Sequence, residues 1–109
     1  MNDGRRLIHI PVPIHNAMTA VAIATNRSFQ FHADEAMASA LKLDLFPWAL
    51  RTISRVNQKG IAKTALMDAA LYQEVKMRAA ELGISSKDYI IGAFYLHCLC
   101  LRSVLQPDR

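Results

Sequence analysis

Cations and helix-capping hydroxyls are the groups in this sequence whose types and spacing suit chemistry. Arg51, Arg55 and Lys59 stand at i, i+4 and i+8, which on a helix lines three positive side chains along one face. Such a stripe is a candidate phosphate track, with a solvated helix face as the plainer reading. Arg5, Arg6 and His9 lie in a β-branched stretch and carry donors suited to base edges or phosphates. Ser85, Ser86 and Lys87 open an apolar segment, where free backbone N–H groups and a positive helix end favour an anion. Catalytic groupings are missing: the four glycines form no phosphate-cradling loop, and Asp34 and Glu35 are adjacent, so they splay on a helix and suit its positive end instead. No enzyme is expected. His9, His15, His32 and His97 have no metal-ligand spacing and read as unrelated polar or core side chains, and the helical geometry of His97-Cys98-Leu99-Cys100 scatters its ligands. Neither a metal nor a cofactor is expected, and the two cysteines read as buried free thiols of a reducing cytoplasm.

The elements that must position these groups are bounded by composition. The chain has 109 residues, 52% apolar and 20% charged, too apolar for disorder and of a length for a single domain, 1–109. So much apolar surface is hard to hide in one small monomer, which predicts an oligomer. No apolar run reaches the roughly 20 residues that span a bilayer, and the N-terminus lacks the uninterrupted core of an export signal, so a cytoplasmic protein without membrane contact is expected. The net charge of +4 is local. Residues 1–41 and 64–109 each sum to zero, while in 42–63 Lys42, Arg51, Arg55, Lys59 and Lys63 oppose only Asp44.

Residues 5–12, rich in β-branched side chains and bounded by Pro11 and Pro13, read as a strand. Residues 14–25 read as a buried helix stopped by Asn26, and 33–43 as a second helix. Asp44 is a candidate cap for a third helix with Pro47 in its first turn, ended by Asn57 to Gly60. Phe29, Phe46 and Trp48 read as core or subunit interface rather than base-stacking groups. Residues 61–67 are a short extended segment, and Asp68 caps a helix over 69–82 that presents Leu71, Val75, Arg78, Ala79 and Leu82 on one face. Gly83 stops it, and Ser85 with Asp88 forms a capping box for a last helix, 86–102. That helix is apolar almost all round, and Ile90, Ile91, Phe94, Leu96, Cys98 and Leu101 are assigned to contact with another subunit.

Strand, capped helix, Gly turn and Ser-capped helix over 61–102 resemble the ribbon-helix-helix family of DNA-binding transcriptional regulators. Thr64 to Asp68, Leu71, Val75, Ala79, Glu81 to Ser85 and Tyr89 to Ala93 carry the likeness. The resemblance implies a mainly α fold with one or two short strands. Two copies of the strand would form an antiparallel ribbon that reads the major groove of double-stranded DNA, in a homodimer of bacterial or mobile-element origin. It also implies that Ser85, Ser86 and Lys87 anchor a phosphate; beside it, the chemistry of Arg5, Arg6, His9, Lys63 and Thr64 assigns them to DNA contact, with Arg51, Arg55 and Lys59 as an auxiliary track. Counting from Gly83 turns Ala62, Thr64 and Leu66 outward and Lys63 inward, whereas a shift by one residue turns Lys63 outward, and neither register supplies several polar readers.

An offset of 57 residues superposes strand on strand, Ala22 on Ala79, Ser28 on Ser85 and Ala36 on Ala93. Residues 5–60 then form a degenerate repeat of 61–102, and the chain is a tandem pseudo-dimer. The other arrangement uses 5–12 as the intermolecular ribbon and the C-terminal hairpin for dimerisation. Residues 34–58 are also faintly similar to FlhD-type activator subunits, which leaves a second functional expectation: a helical interaction module, an activator subunit or an antitoxin-like partner, acting through another protein.

Overall fold

The computed structural model describes residues 4–57 and 61–105, with side chains as far as Leu101. The chain is mainly helical with one two-stranded antiparallel sheet. Strand β1 (Arg5–Pro11) leads into α1 (Val12–Thr25), α2 (Phe29–Leu41) and α3 (Pro47–Asn57), and β2 (Ala62–Asp68) leads into α4 (Ala69–Leu82) and α5 (Ser86–Leu105).

The two strands pair with each other, from Arg5 opposite Asp68 to Pro11 opposite Ala62. The ribbon therefore closes within one chain. Its inner face places Ile8, Ile10, Ala65 and Met67 in the core, while Leu7, His9, Thr64 and Leu66 face outward. The register is the one counted from Gly83. Lys63 has inward parity yet remains exposed near the strand end, where nothing requires its ammonium to be buried.

The 57-residue offset holds element by element: β1 maps onto β2, α1 onto α4 and the start of α2 onto the start of α5. The turns obey it too. Asn26 (φ 57°) and Gly83 (φ 75°) end α1 and α4 in the left-handed conformation, one through an Asn side chain that tolerates it and one through Gly. Ser28 and Ser85 then cap α2 and α5, their hydroxyls accepting from the Phe31 and Asp88 N–H groups at 2.9 and 3.0 Å.

Three local expectations are corrected. Helix α2 begins at Phe29, four residues before the expected start, so Asp34 sits in its second turn, where it accepts from the Asp68 N–H and faces Arg5 at 3.9 Å. Helix α3 begins at Pro47 with the Phe46 carbonyl accepting from Ala49 and Leu50, so Asp44 lies outside it. Helix α1 begins at Val12 because Pro13 suits a first turn, where no N–H is needed.

The expected subunit interface is also corrected. Ile90, Ile91, Phe94 and Cys98 are buried inside the single chain, and Leu96 and Leu101 are partly buried against the same core. The surplus apolar surface of α5 is covered by α1, α2, α3 and α4. Helix α3 lies antiparallel to α5, with Leu50 against Gly92 and Ser54 donating to Asp88 at 2.6 Å. Phe46 and Trp48 lie outside the core, 66% and 68% exposed, their rings stacked at 6.2 Å. Among the described residues no helix is long and apolar enough to cross a membrane.

Two outcomes follow from this packing. A Cβ at Gly92 would lie 2.6 Å from Leu50 Cδ2 and 3.1 Å from its Cα, so the α3 backbone must shift. Gly92→Ala is expected to destabilise by about 1–2 kcal/mol in denaturant unfolding, overpacking of about 1–3 kcal/mol outweighing the better helix propensity. Because the ribbon is intramolecular, the thermal midpoint should stay constant over a hundred-fold dilution, whereas an obligate dimer would lose stability.

Candidate nucleic-acid interface

The outward ribbon face is flanked by the start of α5. Arg6, Leu7, His9, Tyr72, Ser86 and Lys87 line a groove of about 300 Å³ that joins β1 to that helix end. Ser85 holds one N–H of the first turn, and the remaining N–H groups at the positive helix end sit beside Lys87. Arg6 lies with its guanidinium 4.4 Å from the centre of the Tyr72 ring, a cation–π contact that positions the charge at the groove wall.

The offset reproduces this arrangement on the other flank with different residues. Lys63 and His15 take the places of Arg6 and Tyr72, and Ser28, Phe29 and Gln30 those of Ser85, Ser86 and Lys87. His15 stacks on Phe29 at 4.7 Å, and burial, then the Lys63 charge, lower its pKa. Arg27 lies over the Phe31 ring at 4.7 Å beside the same helix start.

The residues expected to meet DNA thus divide. Arg6, His9, Ser86 and Lys87 come together in the groove, with Ser85 as the cap, and Thr64 is opposite His9 on the outward face. Arg5 also has outward parity, but its guanidinium is turned to Asp34. Arg51 and Arg55 are exposed on α3, whose C-terminal half is held at the first turn of α5 by the Ser54–Asp88 bond. Lys59 lies outside the described residues. Leu7, Leu66, Ser28 and Tyr72 belong to the site without having been singled out for it; the superposition of Ser28 on Ser85 was the signal for the second helix end.

The histidines are not all unrelated. His32 Nδ1 and His97 Nε2 are 3.0 Å apart, and His32 Nε2 is 2.6 Å from the Thr25 hydroxyl, so α1, α2 and α5 share one hydrogen-bonded chain. Among the described residues no three His, Cys, Asp or Glu side chains gather as metal ligands. Both cysteines are free; Cys98 is buried, which pushes its thiol up to about 11, while Cys100 is exposed.

No family model matches the chain, and no curated protein or solved structure matches it.

Burial lowers the pKa of both His32 and His97, and His32 further disfavours a proton on His97; Glu35 opposes the shift at both, and Arg27 adds to it at His32. Both are neutral in the fold and take protons more readily when unfolded. Stability should therefore be full above pH 6.5, the ordinary histidine value, and fall as pH descends through the lowered folded values. The slope should not exceed about 1.4 kcal/mol per pH unit for each histidine. In urea unfolding from pH 8 to pH 5, His97→Gln should flatten that fall; an unchanged slope would place its origin elsewhere.

Proposed function

We propose that the chain is a cytoplasmic, sequence-specific DNA-binding transcriptional regulator of ribbon-helix-helix type, built as a single-chain pseudo-dimer. The observation that carries this reading is the intrachain β1–β2 ribbon, whose outward face is left uncovered beside the groove of Arg6, His9, Ser86 and Lys87. Two strands about 4.8 Å apart with their side chains fit a major groove about 12 Å wide. His9 and Thr64 supply hydrogen-bonding groups to base edges, while Lys87, Arg6, Lys63 and the two helix starts contact backbone phosphates on either side. Arg51 and Arg55 add sequence-independent attraction on the α5 flank.

The second reading, a module acting through another protein, draws on the α2–α3 junction. Leu43, Phe46 and Trp48 are all more than half exposed there, an apolar cluster suited to a protein partner. It does not explain the cations around the ribbon, and DNA binding is the better-supported function.

Gel-shift and footprinting titrations on the duplex upstream of the protein's own gene test the proposal. Lys87→Ala should weaken binding by a similar factor on all sequences and lower the log–log salt slope by about 1. His9→Ala should instead cost about 1–3 kcal/mol on the preferred site and relax selectivity at one position. Equal affinity for that duplex and random duplex at moderate salt would remove the specific-regulator reading.

A further inference from the structure

The register makes the reading face chemically lopsided. The internal repeat sends Leu7 to Thr64 and His9 to Leu66, so its pseudo-twofold axis passes through the Ile8–Ala65 pair. The outward pair on one side of that axis is Leu7 opposite Leu66, and the equivalent pair on the other side is Thr64 opposite His9. Leu7 and Leu66 are 55% and 39% exposed, two alkyl side chains opposite each other on the outward face of the ribbon. A hydroxyl and an imidazole occupy the equivalent ground.

The flanks differ too. The α5 start carries Ser86 and Lys87, with Arg51 and Arg55 on the helix docked beside it, whereas the α2 start carries Phe29 and Gln30 with Arg27 as the cation beside it. The docking itself is one-sided: Gly92 admits Leu50 on α5, but the equivalent residue on α2 is Glu35, which is exposed.

Major-groove edges distinguish these chemistries. Thymine offers a methyl group to alkyl side chains, whereas guanine and adenine offer N7 and other hydrogen-bonding atoms to His and Thr. We infer that the chain recognises a non-palindromic duplex site, one half read through thymine methyls by Leu7 and Leu66 and the other through hydrogen bonds by His9 and Thr64. The inference rests on the DNA-binding function proposed above. Affinity is also expected to be skewed, with more phosphates protected on the α5 flank.

Selection from randomised duplexes by the full-length protein tests it. The recovered site should be non-palindromic and bind about ten-fold or more tightly than either palindrome made by duplicating one half, several mismatched positions being at stake. Replacing thymine by uracil removes only the methyl, and in the Leu half it should weaken binding about four-fold per contacted base, with no change in the other half. The double substitution Leu7→Thr with Leu66→His makes the two sides of the face equivalent and should shift the preference to a palindrome of the His–Thr half. Both positions are exposed, and circular dichroism checks the fold of that variant. If the wild-type protein selects a palindrome, or uracil has equal effects in both halves, the inference is overturned while DNA recognition stands. If no sequence is enriched over random duplex, the DNA-binding reading itself fails.

Discussion

The pairing of β1 with β2 is the constraint on which the rest of the molecule depends. A lone strand of seven residues leaves its ladder groups to water and its inner face uncovered, and neither strand has another partner in the sheet. Once they pair, Ile8, Ile10, Ala65 and Met67 form a common floor. The helices that leave each strand must then cover it from both ends, which places α2 and α5 across the centre with Met37, Ile91 and Phe94 in one core.

The two halves solve the same geometric problem with different residues. Asn and Gly end the first helices, and Ser caps both second helices. At the equivalent positions 32 and 89, one half places His32 in a hydrogen-bonded chain with Thr25 and His97, and the other buries Tyr89. The Tyr89 hydroxyl finds no hydrogen-bond partner among the described residues, and burial pushes its pKa up. The backbone plan is therefore shared where φ/ψ or a helix end demands a particular residue, and free where only volume must be filled.

Legibility in the sequence followed the same division. Gly83, Ser85 and Asp68 act through local backbone chemistry, and the helix 69–82 has the predicted boundaries. The early start of α2 was hidden because Phe29 to His32 has no strong apolar period, although Ser28 was in view as the equivalent of Ser85. Long-range facts were less accessible. That the partner of β2 is β1 and not a second copy depends on a connection long enough for α3, and Gly92 has no visible reason until Leu50 is against it. The excess apolar surface implied a covering body without saying that the chain itself supplies it. His32 and His97, 65 positions apart, meet only because α2 and α5 cross.

Helix α3 has one further consequence. It is the bridge between the halves, and it turns what would be a second-order encounter of two chains into a first-order closure at a fixed effective concentration. In a two-fold dimer every substitution enters twice, so an improvement on one side is tied to whatever it does on the other. Here Leu50 and Gly92 clasp the bridge to one half only, and each residue enters once. The molecule keeps a symmetric framework while its two sides remain free to change separately.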